Sequence, residues 1–238
     1  MTRGTAYGIG VGPGDPELLT LKAYRLIRDC PVLAWPATLD DESTARAIAE
    51  PHIPDDRIEI PIRMPMVESR FPAQDVYDQA AIEIGSHLSA GRDVAVLCEG
   101  DPFFYGSFMY LFARLSENHQ VEVVPGVSSL TAVPAALGVP LASRNDVLTV
   151  LPGPLEEDVL TERLRDCEAA AIIKVGRHLP KIRRVLESLG LLDHARYVQH
   201  ATMEKQVVEP LANMPADMKA PYFSMVIVHR RGEAWRLS

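Results

Sequence analysis

The chain has 238 residues, of which 47% are hydrophobic and 24% charged, and this balance is typical of a globular protein. Its formal net charge of -8 argues against nucleic acid as a partner, because a nucleic-acid surface needs a dominant basic face. The longest uninterrupted apolar runs, such as residues 225–228, are far shorter than the roughly 20 residues of a membrane helix, so no membrane span is expected.

Hydrophobic spacing predicts that strands and helices alternate through the first half of the chain. The predicted strands are 5–11, 32–35, 58–62, 94–97 and 121–124, and the predicted helices are 18–27, 43–49, 76–88, 105–115 and 128–137. Such alternation is typical of a parallel sheet that helices cover on both faces.

The pattern restarts near residue 147 and then changes in the last third of the chain. The predicted strands are 147–151, 170–175, 196–200, 205–208 and 222–229, and the predicted helices are 157–164 and 179–189. The last two strands have no long helix between them, which indicates antiparallel pairing and a mixed sheet. We therefore predict two α/β domains, residues 1–125 and residues 126–238.

A glycine-rich loop follows the first predicted strand, with the sequence Gly-Val-Gly-Pro-Gly-Asp-Pro at residues 10–16. It fails the dinucleotide fingerprint, because Asp15 stands where the third glycine belongs and the second predicted strand ends at Trp35 without an acidic residue. It also lacks the Gly-Lys-Ser/Thr of a P-loop. Asp15, with Asp101 in a second loop, would repel a pyrophosphate but suits a cation such as a sulfonium.

Two further loops follow apolar strands, at residues 98–107 and 124–129. Open α/β sheets bind ligands at the carboxyl ends of their strands, so both loops are candidates for a ligand site. The hydroxyls of Ser128 and Ser129 have a second interpretation, which is that they cap the helix that follows.

Together, residues 10–23, 99–103 and 125–129 resemble the tetrapyrrole methylase family in their order and spacing. The resemblance extends over nearly the whole chain. It implies a fold of two α/β domains with S-adenosylmethionine in the cleft between them, and a homodimer. Within the family, residues 100–111 and 174–177 are most similar to the members that methylate the C20 bridging carbon of precorrin-2 to give precorrin-3A in cobalamin biosynthesis.

The resemblance also implies which positions contact the cofactor. These positions are Pro13, Glu99, Gly100, Asp101, Phe104, Ser128, Ser129, Val175 and Ala201. Glu99, Gly100 and Asp101 match the segment at the methionine part of the cofactor. Val175 and Ala201 match positions near its adenosine.

Methyl transfer from a sulfonium depends mainly on alignment, because the thioether leaves as a neutral group. The acceptor carbon must afterwards lose a proton, and Asp101 and Tyr105 are the candidate catalytic residues for taking it. Asp101 has an alternative interpretation as a residue that stabilises its loop or the cofactor by hydrogen bonds. Water is a further candidate for the proton acceptor.

The implied substrate carries eight carboxylate side chains, so we expect arginines around it. Arg70, Arg144 and Arg177 are the candidate substrate-binding residues by position, although each could equally be a solvated surface charge.

The spacing of the cysteines and histidines bears on metal binding, and the amino-terminal sequence bears on the cellular location. The three cysteines and seven histidines show no metal-ligand spacing, so no protein-bound metal is expected. A cobalt ion could still arrive inside the substrate. The amino terminus lacks an apolar signal segment, which favours a cytoplasmic location.

Four other functions stay open at this point. One is C20 methylation of the cobalt-containing relative, cobalt-factor II, and another is a different methylase of the same family. A non-catalytic nucleotide-sensing module is an alternative from a different class. A nicotinamide oxidoreductase is weakened by the missing glycine and the missing acidic residue.

Overall fold

The structure is a computed structural model that describes residues 3–64 and 74–234. Contacts within the chain divide it into two compact units, Met1–Ser128 and Ser129–Ser238. Among the described residues, no helix combines the length and the hydropathy needed to cross a membrane.

The first unit is built on a five-stranded sheet in which every described pairing is parallel. Its strands are β1 (Thr5–Gly10), β2 (Val32–Ala37), β3 (Ile58–Arg63), β4 (Val94–Cys98) and β5 (Gln120–Val124), and its helices are α1 (Leu21–Asp29), α2 (Thr44–Ala49), α3 (Gln74–Ser89) and α4 (Phe108–Leu115). The strand order is β3-β2-β4-β1-β5. Because β4, β1 and β5 are neighbours and parallel, the loops at their carboxyl ends lie side by side.

Local signals in the sequence explain where the first two helices begin. The Thr20 hydroxyl accepts a hydrogen bond from the Ala23 N–H at 3.1 Å and caps α1, and the Ser43 hydroxyl accepts from the Arg46 N–H at 3.2 Å and caps α2.

The close packing of α4 on the sheet depends on Gly8 in β1. A Cβ at this position would lie 2.2 Å from the Phe108 ring, so a larger residue would push α4 away.

The second unit contains a mixed five-stranded sheet. Its strands are β6 (Leu148–Pro152), β7 (Ala169–Ile173), β8 (Ala195–Gln199), β9 (Val207–Pro210) and β10 (Ser224–His229), and its helices are α5 (Ser129–Leu137), α6 (Glu157–Arg165) and α7 (Leu179–Ser188). The strand order is β6-β7-β10-β8-β9, with β6 and β7 parallel and the other pairs antiparallel. Buried side chains alternate along β7, with Ala170 and Ile172 on the face of α6 and α7 and Ala171 and Ile173 on the face of α5.

The structure confirms the predicted fold class, a parallel sheet followed by a mixed sheet. Every predicted strand is found with ends that differ by no more than two residues. The predicted domain boundary at 125/126 falls in the loop between β5 and α5, where the division after Ser128 also falls.

The predicted starts of two helices were wrong by three residues each. Helix α1 starts at Leu21 because residues 16–18 form a separate 3-10 turn and Leu19 is extended. Helix α4 starts at Phe108 and not at Tyr105, because Tyr105 has a φ of +57° that no right-handed helix contains. Hydrophobic spacing alone predicts neither the 3-10 turn nor the positive φ at Tyr105.

One carboxylate of the second unit joins the loop before β6 to the end of β10. Asp146 accepts hydrogen bonds from the Ser143 N–H at 2.8 Å and from His229 Nε2 at 3.0 Å, and Arg231 Nη2 lies 2.9 and 3.0 Å from its two oxygens. The Asp146 and His229 side chains are each only 5% exposed. The bond from His229, with smaller effects from Ser143 and Arg231, lowers the pKa of Asp146 well below its usual range.

We expect Asp146→Asn to lower the melting temperature at neutral pH, because an amide cannot accept all of these hydrogen bonds. A depressed pKa in the folded protein stabilises the fold fully above the usual aspartate pKa of 3.8, and this stabilisation is lost as the pH falls through and below that value. The difference between wild type and variant should therefore shrink as the pH falls below about 4. Thermal denaturation from pH 3 to pH 7 tests this, with the exposed Asp217→Asn as the control. A pH-independent difference would contradict it.

Candidate active site

The three loops at the carboxyl ends of β1, β4 and β5 form the candidate site of the first unit. We name them the first loop (10–16), the second loop (98–107) and the third loop (124–128). A short antiparallel bridge joins the first two: the Gly100 N–H donates to the Gly12 carbonyl at 2.8 Å, and the Gly12 N–H donates to the Gly100 carbonyl at 3.3 Å. Backbone hydrogen bonds therefore join the two loops directly.

Three glycines bring the backbones of all three loops into contact. A Cβ on Gly10 would lie 2.5 Å from the Gly100 oxygen and 2.6 Å from the Gly126 Cα, and a Cβ on Gly126 would lie 2.1 Å from the Gly100 oxygen. The φ of +64° at Gly100 favours glycine, yet a Cβ there would meet nothing within 4 Å. The loops are thus packed against one another on one side, and the backbone at Gly100 is open on the other.

Asp101 fastens the second loop to the third. Its Oδ1 accepts hydrogen bonds from the N–H groups of Phe103 at 2.9 Å and Phe104 at 3.1 Å, and its Oδ2 accepts from the Gly126 N–H at 3.1 Å. Both carboxylate oxygens are therefore engaged with the backbone. This geometry matches the loop-stabilising interpretation of Asp101, while its predicted role as a proton acceptor stays a prediction.

Glu99 is a second carboxylate of this site, and its environment differs. The side chain is half-buried, and the backbone N–H groups of Ala45, in the first turn of α2, and of Glu99 itself are close enough to favour its ionised form. Burial raises the pKa of Glu99, against the opposing effect of these two N–H groups. The link to Ala45 was not predicted from sequence, because no local signal relates residues on different helices and loops.

Of the predicted cofactor-binding and catalytic residues of the first unit, Pro13 and Ser128 are half-buried in the first and third loops. The others lie on the second loop. Phe104 is half-buried, and its ring contacts the Tyr105 ring edge to face at 5.2 Å. Tyr105 is 43% exposed.

The remaining predicted cofactor contacts belong to the second unit. Ser129 begins α5. Val175 and Ala201 follow β7 and β8, which both run antiparallel to β10, so they lie at the same edge of the sheet. The Val175 side chain is fully buried in the core, so a contact of this residue with a ligand would use its backbone. Ala201 is partly buried against the core beside α5.

The structure separates the predicted arginines. Arg177 is exposed and follows β7, whereas Arg144 is exposed and precedes β6. Because β6 and β7 are parallel, the two arginines lie at opposite edges of the same sheet. Arg70 lies outside the described residues. Within residues 3–64 and 74–234, no group of three or more His, Cys, Asp or Glu side chains could hold a metal ion.

Comparison with known proteins places these loops in a family. The model of the tetrapyrrole (corrin/porphyrin) methylases matches residues 5–214. A precorrin-2 C(20)-methyltransferase of Sinorhizobium sp is 45% identical over 233 residues, which cover 94% of this chain and 95% of that protein. A cobalt-precorrin-2 C(20)-methyltransferase of Salmonella typhimurium is 26% identical over 97% of this chain and 98% of that protein.

A solved structure has a similar fold. It is a uroporphyrin-III C-methyl transferase from Thermus thermophilus complexed with S-adenyl homocysteine. The two chains have a TM-score of 0.69 and 25% sequence identity, and the similarity covers 95% of this chain and 92% of the other.

We expect Asp101→Ala to loosen the second and third loops, because three N–H groups lose their acceptor. The expected loss of folding free energy is about 1–3 kcal/mol. Amide hydrogen exchange should show faster exchange at Phe103, Phe104 and Gly126. The control is the exposed Asp55→Ala in the same unit. Unchanged protection of these three amides in Asp101→Ala would refute the fastening role.

Proposed function

The chain belongs to the tetrapyrrole (corrin/porphyrin) methylases, and we propose that it transfers the methyl group of S-adenosylmethionine to the C20 carbon of precorrin-2, giving precorrin-3A. The observation that carries the proposal is the 45% identity to a precorrin-2 C(20)-methyltransferase over 94% of this chain and 95% of that protein. Members of this family are S-adenosylmethionine-dependent methyltransferases, so the chain is an enzyme of that class.

The first unit has a site that fits the cofactor. The open backbone at Gly100 allows close approach of a ligand, and the preceding residue, Glu99, carries a carboxylate that can supply negative charge for a cationic group. S-adenosylmethionine, when bound, supplies an electrophilic methyl group on a positively charged sulfur. We propose that Pro13, the 99–101 segment and Phe104 hold it in this unit, and that Ser128, Ser129, Val175 and Ala201 supply further contacts.

Alignment is the main task of the protein in this reaction. The thioether leaves as a neutral group, so no acid is needed to assist its departure. What accelerates the transfer is a fixed approach of the acceptor carbon to the methyl group, at about 3–3.5 Å. The backbone contact of Gly10, Gly100 and Gly126 and the three hydrogen bonds to Asp101 give the loops the rigidity that this alignment requires.

Tyr105 is the second candidate for the proton acceptor, and its phenol takes a proton from the substrate only if it passes its own O–H proton on to water. Both oxygens of Asp101 accept backbone hydrogen bonds, so abstraction of a substrate proton by Asp101 would disrupt the loops that it fastens. Tyr105 lies on the same loop and is 43% exposed. We keep both residues in the proposal, with Asp101 mainly as a positioning residue.

Substrate carboxylates require cationic partners, and we propose Arg177 as one of them. It follows β7, at the same edge of the sheet as Val175 and Ala201. Arg144 lies at the opposite edge and is not part of this proposal. Arg70 stays a prediction. A homodimer, which rests on the family resemblance, and a cytoplasmic location complete the proposal.

A second candidate substrate is the cobalt complex of the same tetrapyrrole. The 26% identity to a cobalt-precorrin-2 C(20)-methyltransferase favours this candidate. The higher identity of 45% to the enzyme whose name specifies precorrin-2 makes the metal-free tetrapyrrole our first choice.

Methyl transfer tests the proposal directly. Purified protein is incubated with labelled S-adenosylmethionine and enzymatically made precorrin-2, without and with inserted cobalt, and mass spectrometry and carbon NMR locate the added methyl group. We expect methylation at C20, faster with the metal-free acceptor. If protein that binds S-adenosylhomocysteine transfers no methyl group to either acceptor, the C20 assignment fails. Transfer to a different carbon would indicate another methylase of the family.

Glu99→Gln should change stability and cofactor binding in different ways. Because burial raises the pKa of Glu99 in the folded protein, the ionised form costs folding free energy, and this cost grows as the pH rises through that pKa. At neutral pH the variant without ligand should therefore melt no lower than wild type. Its affinity for S-adenosylmethionine should fall by about tenfold, the effect of losing one charge-assisted contact of about 1.4 kcal/mol.

The pH dependence of binding separates Glu99 from other carboxylates. In wild type, protonation of Glu99 should weaken S-adenosylmethionine binding at pH values above 4.5, the ordinary pKa of glutamate. Glu99→Gln should lose this dependence. Calorimetric titration between pH 5 and pH 8 measures it, with the exposed Glu83→Gln on α3 as the control. Equal pH profiles for wild type and Glu99→Gln would remove Glu99 from the binding site.

A further inference from the structure

A patch of apolar side chains is exposed beside the second loop. It consists of Phe103, Met109 and Phe112, which we call the Phe103 patch. Phe103 is 48% exposed and Met109 40%, while Phe112 is half-buried. The Phe103 ring meets the Phe112 ring edge to face at a centroid distance of 5.1 Å, and Met109 lies one helical turn from Phe112 on α4. The contact of the two rings, with Met109 one helical turn away, distinguishes the patch from a single exposed residue.

The patch is held rigidly in its exposed position. The Phe103 N–H is fixed by Asp101, and a Cβ on the nearby Gly106 would lie 2.5 Å from the Pro102 oxygen, so this part of the loop is closely packed. Phe108, which is 1% exposed, lies beneath Phe103 at a ring distance of 6.3 Å and occupies the core position. Phe103 therefore cannot turn inwards without displacing a buried ring.

The position of the patch connects it with the reaction. It begins two residues after Asp101 and includes the first turn of α4, so it adjoins the loop that we assign to the cofactor. Residues 102–113 contain no Asp, Glu, Lys or Arg, so this segment itself contributes no charged side chain to the patch. A tetrapyrrole has a broad apolar face and a rim of carboxylates, and such a face packs well on aromatic rings and a thioether.

We propose that the Phe103 patch binds the apolar face of the tetrapyrrole, with Phe103 and Met109 in contact with the substrate. This inference rests on the proposed function, because it takes the substrate class from there. It adds to that function a binding surface within the first unit, which would hold the macrocycle by area and shape.

The test compares Phe103→Ala and Met109→Ala with wild type, with Phe103→Tyr as a conservative variant and Ile82→Ala as the control. Ile82 is 66% exposed on α3 and outside the patch. Binding of precorrin-2 is measured by anaerobic absorbance titration in the presence of S-adenosylhomocysteine, and KM and kcat by methyl transfer. The dissociation constant for S-adenosylhomocysteine, the melting temperature and the sedimentation coefficient are measured for every variant.

Each alanine variant should weaken precorrin-2 binding and raise KM by about five- to tenfold, as expected for a side chain whose exposed half becomes buried. Phe103→Tyr should keep most of the affinity, and Ile82→Ala should bind as wild type does. The affinity for S-adenosylhomocysteine and the sedimentation coefficient should not change. These results together would support the patch as the substrate surface.

Other outcomes overturn the patch, and three of them are distinguishable from failure of the proposed function. If both alanine variants bind precorrin-2 as tightly as wild type does, the patch is not the substrate surface, although C20 methylation by wild type still stands. Loss of S-adenosylhomocysteine binding would assign the patch to the cofactor, and a change in sedimentation would assign it to an interface between copies of the chain. If wild type binds precorrin-2 without methylating it, loss of binding in the alanine variants supports the patch although the proposed function fails. If wild type does not bind precorrin-2, both fail.

Discussion

The contact of three glycine backbones is the constraint on which the site of the first unit depends. The three strands are neighbours in the sheet: β1 ends at Gly10, while Gly100 and Gly126 follow β4 and β5. The spacing between the three backbones leaves no room for a Cβ at Gly10 or Gly126. The contact exists because β1 lies between β4 and β5, so that their carboxyl ends converge. Every other feature of the site uses this arrangement: the bridge between the first two loops, the hydrogen bonds that Asp101 makes across to the third, and the open backbone at Gly100.

Two carboxylates two residues apart have different physical roles because their surroundings differ. Asp101 is surrounded by three N–H donors from two loops, and its charge is used to hold those loops together. Glu99 is half-buried, and burial raises its pKa, so its charge is costly when no cation is near. A cationic ligand removes that cost, and this is the physical reason to assign Glu99 to binding and Asp101 to positioning. Sequence position alone gives no basis for the distinction.

The second unit is stabilised by the hydrogen bonds and ion pair of Asp146, and it carries candidate ligand residues of its own. Asp146 joins the loop before β6 to the end of β10 across the intervening β7, and this link fixes the edge of the sheet that lies opposite Arg177. At the other edge, the ends of β7 and β8 bring Val175, Arg177 and Ala201 to the same side. The mixed strand order thus keeps the stabilising cluster and the candidate ligand residues at different ends of the sheet.

The sequence by itself determined the alternation of elements, the change from a parallel to a mixed sheet and the three loops, because hydrophobic period and turn residues are local properties. It misplaced the starts of α1 and α4, where a 3-10 turn and the left-handed Tyr105 interrupt an unbroken apolar pattern. The tertiary structure alone decided which residues meet. The glycine contact, the Glu99 link to Ala45 and the separation of Arg144 from Arg177 all follow from strand order and loop packing. Those relations join positions far apart in the chain, and no local pattern encodes them.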